Sequence, residues 1–422
     1  MATERITEKK ALLGNGLIFA AAMWLLSRLV IAIAMLLIAP ALPAPPGGSA
    51  ATVGWDVFSA WDSAWYQRIA TTGYEYINDG KEHSVAFFPL LPLLSRAVMT
   101  LGLPFEVAGT IVNNLAFLGA LVVLYAWVEE LHGKSAARWA TAVLAWCPFS
   151  LYGTVIYTEG LFLLLSTAAL RAFDKQQYGQ VALWGALASA ARPTGMALIP
   201  AFLLVAWRER RPPMAYIASL ATGLGLLLYS IYCGMNFGDP LAFIHVQSAW
   251  GKESFLQGWF KILRQVVVGP VDINTGAIKN PLHVVIVATV CAIAFLLWRS
   301  RSKLGSVKVG YGLYALWLLL WLVVGDRLIK TVMVFGGGYL LWYSRAKISR
   351  VAVAYGFFSL ALLLNAGRTT SAERYAYGIV SLSVAFGVLL ERYPRWGYAI
   401  MGFFAILLAS FAVRFSQNLW VA

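Results

Sequence analysis

Asp62 sits in the run WDSAWYQRIA, with Trp61 before it and Trp65 and Tyr66 just after, in a chain that is otherwise strongly apolar. A carboxylate among aromatics near a membrane surface is costly unless it is paired, hydrated or used. One use is as a general base on a hydroxyl held against flat aromatic faces, an effect typically worth about 10²–10⁴-fold. An interfacial aromatic belt with an incidental aspartate accounts for the same residues. Asp56 lacks the surrounding WD-x-x-WY pattern and reads as solvated or structural.

Three further groups carry chemistry. EHSVAFFPLLP at 82–92 contributes His83, Phe87 and Phe88. Pro89 and Pro92 disfavour helix at the residues before them, so a turn or re-entrant segment is predicted. His83 suits a phosphate or a sugar hydroxyl, while the two phenylalanines line a lipid groove or simply pack. Polar residues then recur at the ends of apolar runs: Asn113 and Asn114, Tyr157-Thr158-Glu159, and Arg192 in ARPTG. Charge at membrane depth marks either a functional site or a Glu159–Arg192 pair that holds a bundle together. Finally, NAGRTTSAERYAYG at 365–378 offers Arg368 and Arg374, whose guanidinium forks suit an anionic leaving group.

The elements that position these residues follow from composition. The 422 residues are 60% hydrophobic and 12% charged, with a mean hydropathy of +0.71. Soluble domains carry about 25% charge, so the chain is an all-α polytopic membrane protein. Alternating strands of a transmembrane barrel are absent from the pattern. Helices are expected near 14–39, 106–131, 136–150, 151–173, 177–192, 193–207 and 213–234. Others are expected near 281–298, 308–325, 328–344, 350–366, 376–391 and 396–415, about thirteen spans in a single domain over 1–422. The first run is long for a signal peptide and contains Arg28, which favours an uncleaved helix.

The net charge of +14 follows helix ends rather than one stripe, so membrane orientation explains it and no nucleic-acid partner is expected. With the N-terminus cytoplasmic, the inner segments are 1–13, 132–138, 171–176, 208–212, 299–308, 345–350 and 392–395. These short stretches hold 19 of the 33 Lys and Arg. The two long non-spanning stretches, 40–105 and 235–280, then share the opposite, extracytoplasmic face with the polar outliers. That crowding favours an enzyme site over a transporter or flippase, whose pathway residues would be spread across both leaflets. Cys147, Cys233 and Cys291 read as small apolar residues, and the four histidines show no metal-ligand spacing. No metal site or cofactor is expected. Neither a Gly-rich phosphate loop nor Asp-x-Asp spacing is present to serve a nucleotide sugar.

The ordered set Trp61-Asp62 with Tyr66, Ile69-Ala70, Gly73-Tyr74, Ala86-Phe87-Phe88-Pro89, Tyr157-Thr158-Glu159, ARPTG at 191–195 and Asp239-Pro240 resembles the PIG-V family. This is the GPI mannosyltransferase II-like branch of the GT-C glycosyltransferases. The resemblance covers most of 55–250; beyond about 280 it is only a pattern of helices. It implies a GT-C-type bundle with a long first extracytoplasmic loop. It also implies a mannosyltransferase fed by a polyprenyl-phosphate-linked sugar, with Asp62 at the position of the acidic catalytic residue. A lipid-linked or protein acceptor and the bilayer would be its partners. Eukaryotic members tend to carry Asn where this chain has Thr194, which fits a bacterial-type homologue with a different acceptor. The lack of long polar tails likewise favours a bacterial plasma membrane.

Overall fold

The computed structural model describes residues 2–251, 255–271, 278–366 and 369–421, with side chains from residue 15 onward and excluding those of 255 and 256. Every regular element among the described residues is helical. Five helices are long and apolar enough to cross a membrane: Asn15–Ala41, Phe105–Trp146, Pro281–Arg299, Ser306–Val324 and Pro394–Ser416. A sixth span is formed if Pro213–Ala221 and Leu224–Phe237, bent by 40° at their junction, count as one. The protein is therefore an integral membrane protein. Several of the thirteen expected spans take the form of shorter helices, such as Tyr178–Ala191, Leu198–Arg208 and Arg350–Asn365.

Two compact units result. The first comprises Met1–Gly251, Gly338–Leu362 and Tyr377–Ala422; the second comprises Lys252–Gly337 and Leu363–Ala376. At the centre of the first unit lies Phe105–Trp146, interrupted at Gly133. Gly133 has φ +85°, a left-handed conformation open to glycine at little cost, and it separates the two helices expected at 106–131 and 136–150. Around this axis pack Ala2–Ile33, Leu90–Met99, Glu159–Asp174 and Val380–Arg392. Tyr178–Ala191 packs on Glu159–Asp174 and on the bent pair. A Cβ at Gly225 would lie 2.0 Å from the Ala186 carbonyl, so this crossing depends on the small residue. In the second unit Pro281–Arg299 pairs with Ser306–Val324, and Val287, Val324 and Leu328 form its core with Trp317 and Trp321.

The expected helix at 151–173 begins only at Glu159. Before it, Pro148–Gly153 forms a tight 3₁₀ turn whose carbonyls are drawn to side chains from other helices, which stops an α-helix from forming there. The 40–105 stretch also holds two helices that were not expected, Ser63–Thr71 and Leu90–Met99. Pro89 and Pro92 open the latter instead of ending a segment, because the first-turn N–H groups of a helix have no intrahelical partner to lose.

Charge sorting is visible in the first unit. Glu130 binds Arg171 at 2.6 Å and Lys175 at 2.8 Å, and Glu209 binds Arg211 at 2.7 Å and Arg350 at 3.5 Å. These residues lie in or next to segments that the charge bias assigns to the cytoplasm. Segments assigned to the other face likewise meet one another, as the site below describes.

Candidate active site

The turn carrying Asp62 is built from residues 55–63. Trp55–Phe58 forms a single 3₁₀ turn, closed by the Ser59 N–H on the Asp56 carbonyl at 2.9 Å. Trp61 then takes φ +57°, a left-handed conformation that is a genuine outlier for a bulky residue. Asp62 follows, half-buried, at the N-cap position just before Ser63–Thr71, and its carboxylate does not hydrogen-bond to that helix's first turn.

Four hydrogen bonds fasten this turn to residues 156–157. The Ile156 N–H donates to the Phe58 carbonyl at 3.1 Å, and the Ser63 hydroxyl donates to the Ile156 carbonyl at 3.0 Å. The Tyr157 hydroxyl accepts from the Asp62 N–H at 3.3 Å and donates to the Ala60 carbonyl at 3.3 Å. Tyr157 itself is buried against Tyr152 (ring centroids 4.9 Å apart) and Phe415 (6.1 Å). The carboxylate of Asp62 is thus presented by a backbone held on both sides.

The 147–158 segment is fixed in turn by polar side chains inside the bundle. The Asn113 amide donates to the carbonyls of Tyr152 (2.8 Å) and Val155 (2.6 Å). The Asn114 amide donates to those of Thr110 (2.8 Å) and Thr154 (3.1 Å). Arg28, buried in the first helix, reaches the Ser150 carbonyl at 2.7 Å, the Thr154 hydroxyl at 2.7 Å and the Ser150 hydroxyl at 2.8 Å. Its guanidinium stands 4.7 Å from the Phe117 ring centroid. Sequence reasoning used Arg28 only to judge whether the first helix is cleaved. The signal for its larger role was present, since an arginine in an apolar span needs internal acceptors. Asn114, expected to bind substrate, is placed where it orders the turn beneath Asp62.

Glu159 and Arg192 form an ion pair at 2.6 Å with both side chains buried. Tyr66 lies in the same neighbourhood. Burial first, and then the negative charges of Asp62 and Glu159, push its phenol well above the ordinary range, while Arg192 and the Thr158 hydroxyl pull the other way. Asp62, Tyr66, Tyr157, Glu159 and Arg192 therefore come from three separate stretches of chain.

The 74–88 loop is a second polar framework. The Tyr74 hydroxyl donates to the Phe87 carbonyl at 2.8 Å and the Tyr229 hydroxyl to the Val85 carbonyl at 2.9 Å. His83 Nε2 lies 2.8 Å from Asp79 Oδ1. That contact, with the Lys81 N–H, holds the Asp79 carboxyl below the usual range. The Tyr76 hydroxyl meets Asp239 Oδ2 at 3.2 Å, and His245 Nδ1 meets the same oxygen at 2.7 Å. Burial acts to raise the Asp239 pKa, but the His245 ring and the Leu241 N–H outweigh it and hold the carboxyl low.

The two phenylalanines separate in role. Phe88 is buried among Val85, Tyr229, Cys233 and Phe243. Phe87 is half-buried, stacked on Trp65 at 5.7 Å and set edge-on to Tyr66 (5.3 Å) and Trp250 (6.0 Å). Trp61 is 46% exposed and meets Trp420 edge-on at 5.1 Å.

Arg368 lies outside the described residues. Arg374 belongs to the second unit, buried on the short helix Ala372–Tyr377 beside Glu373, which pairs with Lys330 at 3.3 Å. Among the described residues no group of three or more His, Cys, Asp or Glu side chains is placed to hold a metal ion.

The stretch that supplies most of the constellation also has a recognisable pattern. Residues 27–208 match the mannosyltransferase (PIG-V) family. The matched range contains Arg28, Asp62, Tyr66, the Asn113–Asn114 pair, Tyr157, Glu159 and Arg192. Among curated proteins none matches the sequence.

Solved structures give weaker likenesses. One is the Archaeoglobus fulgidus oligosaccharyltransferase complexed with zinc and sulfate. Its TM-score is 0.46 at 13% identity, over 95% of this chain and 53% of that one. Another is the oligosaccharyltransferase AglB of the same organism with an inhibitory peptide and a dolichol-phosphate, at TM-score 0.45 and 13% identity, over 94% and 55%. ArnT from Cupriavidus metallidurans bound to undecaprenyl phosphate scores 0.39 at 14% identity, over 89% of this chain and 77% of that one. The chain thus spans about half the length of the archaeal proteins it is similar to.

Proposed function

We propose that this protein is an inverting glycosyltransferase that moves mannose from a polyprenyl-phosphate-linked donor to a hydroxyl of a lipid-linked or protein acceptor, at the extracytoplasmic face. The observation that carries this reading is Asp62, half-buried on a turn pinned by Tyr157 within the family-matched stretch.

In this mechanism Asp62 accepts the proton of the acceptor hydroxyl as that oxygen attacks the anomeric carbon. The bond from the anomeric carbon to the phosphate oxygen breaks in the same displacement, and the lipid phosphate leaves with the electron pair. One displacement inverts the anomeric centre and needs a single base, unlike glycosidases that pair two carboxylates. Charge developing on the phosphate calls for a fixed cation. Within the first unit Arg192, buried beside Glu159 in the same neighbourhood as Tyr66, is the candidate. Phe87, Trp65 and Trp61 supply aromatic surface for the sugar or its lipid.

The donor is tested by supplying purified protein in detergent with polyprenyl-phosphate [³H]mannose or GDP-[³H]mannose and a panel of glycolipid and peptide acceptors. Transfer from the lipid-linked donor alone, with inverted anomeric configuration by NMR, is the expected result. Transfer from the nucleotide sugar would overturn the donor assignment.

A further inference from the structure

A cavity of about 240 Å³ opens between residues 49–60 of the first long loop and residues 415–418 at the end of the last helix. Its polar wall is formed by Ser49, Thr52, Asp56, Ser59 and Asn418, with Phe415 among the apolar lining. Both sides belong to the first unit and are tied together. The Ser49 N–H donates to the Gln417 carbonyl at 2.8 Å, the Asn418 amide to the Ser49 hydroxyl at 2.7 Å, and the Gln417 amide to the Pro43 carbonyl at 3.2 Å. The Thr52 hydroxyl donates to the Asp56 carboxylate. Trp55, beside Asp56, is 51% exposed, and Trp420, two residues beyond Asn418, is 37% exposed.

We infer that this cavity is the subsite for the sugar ring of a hydroxyl-rich acceptor, with Asp56 and Asn418 as its specificity-determining residues. The inference rests on the glycosyl-transfer reading above. A carboxylate accepts from two vicinal hydroxyls, and an amide both donates and accepts, while flanking indoles offer a surface to the C–H face of a pyranose. The volume lies below the roughly 300–1,000 Å³ of drug-sized sites and suits one ring. No lysine or arginine lines the cavity, so a lipid phosphate would meet the Asp56 carboxylate unscreened. That sign selects the neutral acceptor over the donor. Ala60 is part of the lining, and Asp62 is two residues further along, so their Cα atoms are within about 7 Å. An acceptor ring in the cavity therefore lies next to the residue assigned as base.

The test uses methyl α-mannoside, methyl α-glucoside and methyl β-galactoside as probes, with wild type, Asp56→Asn and Asn418→Leu purified in detergent and checked for monodispersity. Saturation-transfer NMR reads binding without any turnover. At least one glycoside is expected to bind wild type, with its signal lost or its affinity reduced roughly tenfold or more in both variants. Binding that is absent from wild type, or unaltered in both variants, overturns the subsite.

A second readout is mannose transfer from the polyprenyl-phosphate donor to the glycoside that binds. Asp56→Asn should raise the KM for the glycoside roughly tenfold and leave the KM for the donor unchanged. A change in the donor KM alone would assign the cavity to the donor and overturn the proposal. If wild type transfers no mannose to anything, the glycosyl-transfer reading fails, and the NMR result still decides whether the cavity binds a sugar.

Discussion

At the residue scale, Trp61 bears the strain of the turn that presents Asp62. Trp61 bears a left-handed backbone (φ +57°), a conformation that costs about 1–3 kcal/mol and persists only where the surroundings over-determine it. Its side chain is about half exposed and touches Trp420 edge-on, a contact worth about 0.5–1.5 kcal/mol. Replacing it with glycine relieves the first and forfeits the second. We expect Trp61→Gly to unfold within about 1 kcal/mol of wild type yet to transfer sugar at least roughly tenfold more slowly, equivalent to about 1.4 kcal/mol. A loss of several kcal/mol in stability with activity retained would show that Trp61 is only structural. The placement of Asp62 among aromatics was legible in sequence. The left-handed turn before it was not, because a tryptophan carries no local preference for that conformation.

At the scale of elements, the active turn is positioned by polar atoms that reach it from helices far away in sequence. Asn113, Asn114 and Arg28 donate into the 147–158 segment, which in turn holds residues 58–63. Removing Arg28 leaves the Ser150 carbonyl and the Thr154 and Ser150 hydroxyls buried without that donor. Arg28→Met is expected to destabilise the protein by about 2–3 kcal/mol, the worth of hydrogen bonds to a charged group, and to speed hydrogen exchange selectively at 147–158. Unchanged thermal unfolding in detergent would rule out the clamp. The same contacts explain why 151–158 is not α-helical although its composition is apolar: tertiary hydrogen bonds captured carbonyls that an α-helix would have used. The Pro89 and Pro92 pair was read as a turn and instead opens Leu90–Met99, since proline is equally compatible with a helix's first turn.

At the scale of the whole molecule, hydropathy told what the chain is more clearly than how it is divided. An all-helical membrane protein follows directly from missing charge. The number of spans does not, because helices as short as Leu198–Arg208 are apolar for burial among their neighbours as much as for contact with lipid. The end of the last helix is also joined to the first long loop in a way no local pattern announces: Gln417 and Asn418 bond to Pro43 and Ser49. That junction puts the end of the last helix on the same face as the 40–105 loop, as the distribution of Lys and Arg requires. In a Cys291→Ser background, Thr52→Cys is expected to react with a membrane-impermeant maleimide added outside intact cells, and Lys134→Cys only after lysis. Labelling of both from the same side would refute the orientation.

The proposed mechanism stands on Asp62 as the base. Its most direct test is single-turnover transfer from polyprenyl-phosphate mannose by Asp62→Asn, with donor binding measured in parallel. The expected result is donor affinity within about twofold of wild type and a transfer rate lower by roughly 10²–10⁴-fold. Transfer at the wild-type rate by a variant that binds the donor normally would contradict it.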